Sequence, residues 1–192
     1  MRSAATPAKS GRPAALPAGV ALRVLKTLPD DRGAFTEFFR DEWIGSPPPV
    51  QWNISRTRPN VLRGVHVHTK HWDYFCLIDG EMVIGLHDLR REGAAEARSA
   101  MFQLSGERLE ALIIPPGVAH GFYSPSCSTH VIGASSYYDP TDHRRCRWDC
   151  PELDLDWPCR APELSPADQQ APDYAELKSA FLAAMATVQH TA

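Results

Sequence analysis

The sequence predicts an all-β fold, an antiparallel barrel or sandwich with one helix at its carboxy end. From Val20 to Ser136 the chain reads as short apolar or alternating runs separated by turns rich in Gly, Pro and Asp, at the spacing of a sandwich or barrel. Helical periodicity emerges only after Asp173. There Tyr174, Leu177, Phe181, Leu182, Met185 and Val188 recur at helical spacing, and Glu176 stands in capping-box position to Asp173. At 192 residues and 43% hydrophobic, the chain suffices for one well-buried core and is short for two.

Composition narrows the function classes. A net charge of −3 provides no global field for nucleic acid, and no apolar run is long enough to span a bilayer, so neither is expected as a partner. Five cysteines, an odd number without Cys-x2-Cys pairs, fit reduced thiols and a cytoplasmic protein better than a disulfide framework. Residues 1–17 are rich in Ala, Pro and Ser and lack the apolar region of a signal peptide, so they are expected to be a disordered tail before one domain over 18–192.

The elements follow in order. Val20 to Leu28 reads as a strand, Asp30 to Gly33 as a turn, and Ala34 to Phe39 as an alternating strand. After the break at Ser46-Pro47-Pro48-Pro49, Val50 to Ser55 places Gln51, Asn53 and Ser55 on one face and Val50, Trp52 and Ile54 on the other. The polar face belongs either to a wet interior or to solvent. Val65 to His68 and Tyr74 to Ile78 are further strands, and a hairpin could bring Asp73 beside the imidazoles of His66 and His68. Asp79-Gly80 is a favoured tight-turn pair and predicts a hairpin to Glu81–Leu89, followed by a charged connection from Arg90 to Ala97. Phe102–Leu104 and Ala111–Ile114 lead to the Pro115-Pro116-Gly117 turn and His120. His130–Ser136 leads out, and a polar segment with Trp148 and Trp157 precedes the helix.

The chemistry concentrates in two stretches. His66-x-His68 followed by Asp73 and Gly80, and then Pro115-x-Gly117-x-x-His120, resemble the paired motifs of the cupins, antiparallel jelly-roll barrels with a functional interior. That resemblance implies an interior lined by His66, His68, Asp73 and His120. A closer resemblance runs from about Val20 to Pro172. Arg32-Gly33-x-Phe35-x-Glu37, Gln51-x-Asn53, Leu62-Arg63-Gly64-Val65-His66, Ile114-Pro115-Pro116-Gly117-x-Ala119-His120, Tyr138-x-Pro140 and Arg147-Trp148-x-x-Pro151 are similar to the dTDP-4-dehydrorhamnose 3,5-epimerases.

This resemblance implies an isomerase, of 3,5- or 3-epimerase type, acting on a dTDP-linked 4-keto-6-deoxyhexose without a cofactor, in a homodimer. It makes His66 the base and Asp168, within Leu164-Ser165-x-x-Asp168, its partner. Arg63, Gln51, Asn53 and His120 become substrate-binding residues, while Arg32, Phe35 and Glu37 meet the nucleotide, often across a dimer interface. The family's oxyanion-holding lysine falls at Asp73 and its catalytic tyrosine at Ile132, leaving Tyr137 and Tyr138 as replacement phenols. Two alternatives accompany these departures. One is a metallo-cupin holding a divalent transition metal on His66, His68, Asp73 and His120, and the other is a non-catalytic nucleotide-sugar-binding protein. His71, His87, His130 and His143 are expected to be surface or core-satisfied histidines.

Overall fold

The computed structural model describes residues 13–90 and 98–189. Its strands are β1 (Ala21–Val24), β2 (Thr27–Asp30), β3 (Gly33–Thr36), β4 (Gln51–Thr57), β5 (Val61–Val67), β6 (Asp73–Asp79), β7 (Glu81–Asp88), β8 (Ser99–Ser105), β9 (Glu110–Ile114), β10 (Val118–Ser124), β11 (Ser128–Ala134) and β12 (Arg144–Arg145). Two helices follow, α1 (Pro166–Gln169) and α2 (Tyr174–Gln189). Two five-stranded sheets, β1-β9-β6-β11-β4 and β12-β5-β10-β7-β8, form the walls of an antiparallel jelly-roll barrel, and β2 and β3 make a separate hairpin. The long first strand expected over Val20–Leu28 is split, because Leu25 turns inward to 4% exposure and donates its N–H to the carbonyl of Leu109.

The Asp79-Gly80 link is a corner and not a hairpin. β6 pairs with β9 and β11, whereas β7 pairs with β10 and β8 in the opposite sheet. Both strands are buried over most of their length, so each needs a ladder partner on both edges and cover on both faces. Pairing them with one another could satisfy only one edge of each. Gly80 takes φ 84°, and there is no room for a Cβ against the Cys127 carbonyl. β5 and β6 also lie in opposite sheets, so barrel closure rather than a hairpin brings Asp73 to the histidines.

Inward-facing Phe75, Leu77, Met82, Ile84, Leu86 and Leu112 fill part of the barrel. Complete burial of one such side chain contributes about 1.5–3 kcal/mol. Outside the second sheet, Leu153, Trp157, Leu177 and Phe181 form a covering layer over Val65, Val83, Ala119 and Tyr123. The Trp157 ring lies against two glycines, since a Cβ would stand 2.7 Å from it at Gly85 and 3.1 Å at Gly121. The α2 helix is capped as expected, with the Asp173 carboxylate accepting the Glu176 N–H at 3.0 Å. Leu182 lies off the packed stripe at 53% exposure.

Residues 1–12 of the expected tail and 91–97 of the expected connection lie outside the described residues. Within the remainder of that tail, Leu16 packs against the inner core and Pro17 is buried, so chain order begins before residue 18.

Candidate active site

One end of the barrel interior stays open as a cavity of about 620 Å³, and strand alternation decides what lines it. β4 turns Gln51 and Asn53 into the cavity and leaves Trp52 at 39% and Ile54 at 71% exposure outside, so its polar face is the interior one. On β5 an irregularity does the positioning. His120 pairs with His66 while Phe122 pairs with Arg63, so three steps along β5 match two along β10. This bulge at Gly64, with φ 127°, lets Arg63 and His66 share the inner face despite their odd spacing. A Cβ at Gly64 would stand 2.7 Å from the Gly121 Cα, so the close approach of the two strands also requires glycine.

His66 and Asp168 form a dyad. Nε2 of His66 lies 2.7 Å from Oδ1 of Asp168, which is 6% exposed. A carboxylate can only accept here, so Nε2 carries the hydrogen and Nδ1 keeps its lone pair. Ser165 caps α1 and donates its hydroxyl to the other Asp168 oxygen at 2.8 Å, while the Arg145 guanidinium lies 3.4 Å from Oδ1. Burial opposes ionisation of Asp168, but the His66 bond and charge, the Ser165 hydroxyl and Arg145 outweigh it and hold the carboxyl below its usual range.

A second cluster adjoins the dyad. His68, Asp73 and His120 are buried and line the same cavity, together with His71. His68 is pinned through Nδ1 to the Asp142 carbonyl at 3.1 Å, and His120 through Nδ1 to the Val118 carbonyl at 3.2 Å. Burial pushes His68 down to about 4 against the pull of Asp73, and it also lowers His120. His71 goes the other way. Burial disfavours its charge, but the Asp73 hydrogen bond and the Asp73 and Asp142 charges raise it. Asp142, 1% exposed, ties the loop after β5 in place by accepting from the Thr69 N–H at 2.8 Å, the Thr69 hydroxyl and the Lys70 N–H at 3.0 Å.

Several site residues were expected, and the structure brings His66, Asp168, Arg63, Gln51, Asn53, His120, His68 and Asp73 to one cavity. Tyr138 lines it too, with its N–H donated to Gln51 Oε1 at 2.8 Å, whereas Tyr137 is 75% exposed and does not line it. Arg32, Phe35 and Glu37 sit on or beside the β2-β3 hairpin, outside this cavity. There Arg32 pairs with Asp30, Glu37 pairs with Arg40, and Phe35 is 68% exposed. Ile132 occupies the cavity wall.

Two histidines expected to be bland belong to the site. His71 lies 3.5 Å from Asp73, and the His143 ring is tilted against that of His66 with the centroids 4.4 Å apart. β12 explains the second, because Arg145 registers with His66 and carries His143 alongside. Burial and the His66 and His68 charges push His143 down to about 3. His87 and His130 are core residues. His87 bonds Ser99, the Leu153 carbonyl and Tyr174, whereas His130 is not satisfied as expected: it stacks on Phe75 at 4.9 Å with neither ring nitrogen hydrogen-bonded among the described residues, and burial and Arg63 lower it to about 4.

The family model for dTDP-4-dehydrorhamnose 3,5-epimerase matches residues 16–176. The chain belongs to that family. It is 32% identical over 161 residues to the dTDP-4-dehydrorhamnose 3,5-epimerase of Neisseria gonorrhoeae, covering 80% of this chain and 49% of that protein. The chain thus spans about half the length of that relative. To the dTDP-4-dehydrorhamnose 3-epimerase of Streptomyces niveus it is 33% identical over 163 residues, covering 80% of this chain and 78% of the other. Among solved structures, the dTDP-6-deoxy-D-glucose-3,5-epimerase of Legionella pneumophila in complex with dTDP-4-keto-L-rhamnose superposes with a TM-score of 0.74 at 31% identity. That match covers 83% of this chain and 92% of that one. The epimerase family and its cupin barrel therefore apply to this chain.

Proposed function

We propose that the protein epimerises a dTDP-linked 4-keto-6-deoxyhexose at a single carbon beside the ketone. The observation that carries this is the His66–Asp168 dyad at 2.7 Å inside a cavity shared with Arg63, Gln51, Asn53 and His120. His66 Nδ1 takes the proton from carbon, the C–H electron pair moves into the carbonyl to give an enolate, and protonation from the opposite face inverts the centre. Asp168 stabilises the imidazolium that forms. Arg63 provides a guanidinium for the diphosphate or the sugar oxygens. With Ile132 on the wall where the family has tyrosine, Tyr138, which also lines the cavity, is the donor assigned to the single return protonation. One inversion, at C3, follows.

The same proposal includes a homodimer in the cytoplasm. The outer face of β4 exposes Trp52 and Ile54, and the hairpin exposes Phe35, an apolar surface suited to a second copy that would receive Arg32, Phe35 and Glu37 near its nucleotide. All five cysteines are free, as a reducing compartment requires. Sedimentation of a stable monomer, unchanged in Ile54→Asp, would count against the dimer.

The test of the reaction is incubation with a dTDP-4-keto-6-deoxyglucose in deuterium oxide. Deuterium should enter at C3, and His66→Ala should abolish it. Tight dTDP binding without any carbon-bound exchange would make the protein a binding module instead.

A further inference from the structure

His68, Asp73 and His120 come from the end of β5, the start of β6 and the middle of β10, and their facing atoms lie within 4.8 Å of one another. Each imidazole has its Nδ1 against a backbone carbonyl, at 3.1 Å from Asp142 and 3.2 Å from Val118. A carbonyl can only accept, so both Nδ1 atoms carry hydrogen and both Nε2 atoms present lone pairs. Both lone-pair nitrogens face the same carboxylate oxygen. Asp73 Oδ2 lies 3.7 Å from His120 Nε2 and 3.9 Å from His68 Nε2, too far for hydrogen bonds. Three electron-rich atoms converging in a buried space call for something positive between them.

We infer that His68, Asp73 and His120 bind a divalent first-row transition cation, with a coordination position open to the cavity. Donors about 2.0–2.2 Å from a tetrahedral ion stand roughly 3.4 Å apart, so the observed 3.7 and 3.9 Å need to close by only a few tenths of an ångström. Two imidazoles and a carboxylate suit zinc, iron, manganese or nickel and poorly suit magnesium or calcium. His71 holds the other oxygen of Asp73 at 3.5 Å and so orients the carboxylate. His66 falls outside this cluster of converging donor atoms, with its Nε2 bonded to Asp168 at 2.7 Å, and the base therefore remains free to work beside a metal. That removes it from the four-residue set expected on sequence grounds.

The role of the ion rests on the epimerase proposal. When His66 takes the proton, negative charge develops on the ketone oxygen, and a lone Asp73 carboxylate would oppose it. A dication with Asp73 carries +2 − 1 = +1, the charge of the lysine that the family places here. The enolate oxygen thus meets a Lewis acid instead of an ammonium.

The experiment uses full-length protein purified without a histidine tag, stripped with chelator and titrated with Co(II) or Zn(II) by calorimetry and, for cobalt, by visible absorption. About one ion should bind per chain, weakened at least ~100-fold in His68→Ala and Asp73→Asn and retained in His66→Ala. Asp73→Asn is isosteric and keeps the test open should His68→Ala misfold. No binding up to about 1 mM cation, or binding indifferent to both ligand variants, overturns the site. Deuterium exchange into the keto sugar is then compared for stripped and reloaded protein, with at least a tenfold gain expected on reloading. Equal exchange in the two states overturns the ion's catalytic role. A stoichiometric ion with no exchange in either state upholds the site and rejects the epimerase assignment.

Discussion

Replacing Asp168 by Asn keeps the shape and a hydrogen-bonding group but removes the charge that steadies His66 as it gains a proton. At 2.7 Å and an effective dielectric of about 20, a full charge pair amounts to roughly 6 kcal/mol. A transition state with the proton about half transferred draws on approximately 3 kcal/mol of that, or about 100-fold in rate. Arg145 at 3.4 Å offsets part of the Asp168 charge and makes this an upper figure. The assay is the initial rate of deuterium incorporation at C3 of the keto sugar, followed by NMR, with dTDP affinity measured in parallel. Exchange should fall about 100-fold while nucleotide affinity stays within roughly twofold, because Asp168 bonds His66 and Ser165. An Asp168→Asn protein that is folded and exchanges within about threefold of wild type would refute the dyad.

Four further outcomes are expected. Asp168 sits below the ordinary carboxylate range in the folded state, so its stabilising contribution is full above the unfolded value of about 3.9 and is lost as pH falls through the lower folded value. The stability gap between wild type and Asp168→Asn in urea should therefore shrink from pH 7 to pH 3, and an equal gap at both would contradict the assignment. Ile132→Tyr, placing a phenol on the cavity wall, should add exchange at C5 to that at C3, read by the position of deuterium in the recovered sugar. Trp157→Ala should cost about 3–5 kcal/mol in urea unfolding, since its ring fills the contact with Gly85 and Gly121. Asp73→Lys should bind no cobalt yet keep exchanging, as an ammonium can donate to the fixed Nε2 lone pairs of His68 and His120. Loss of exchange in a folded Asp73→Lys protein would argue against the charge equivalence.

The sequence exposed what is local. The Asp173 cap and the two-faced alternation of β4 are single-turn or period-two features and lie where the pattern places them, but alternation left open which face of β4 is the inner one, and the run over Val20–Leu28 divides into two strands. Topology was less legible, because a run such as Tyr74–Leu77 shows burial on both faces but not which strands provide the edges. Asp79-Gly80 therefore suggested a hairpin where the barrel turns a corner. The site split in the same way. His66 and Asp168, 102 residues apart, were joined by a motif, whereas His143 reaches His66 only through the two-residue strand β12, and Asp142 looks like an ordinary turn aspartate until it is seen buried under Thr69 and Lys70.

The departures at Asp73 and Ile132 do not have the form of simple decay. A carboxylate introduced alone into a site 8% exposed would lack compensation and cost several kcal/mol. Asp73 instead has His71 at 3.5 Å and two further imidazoles within 4 Å, with both of those rings held in the tautomer that turns a lone pair towards it. Meanwhile the proton-abstracting half keeps its full support, with Asp168 held by Ser165 and flanked by Arg145. A protein that only bound sugar nucleotide would need neither a buried base partner nor three buried donor atoms converging beside it. A base dyad beside a buried donor cluster is what the proposed carbon-acid chemistry would use, with the inferred cation in the place of the family's ammonium and Tyr138 in the place of its tyrosine.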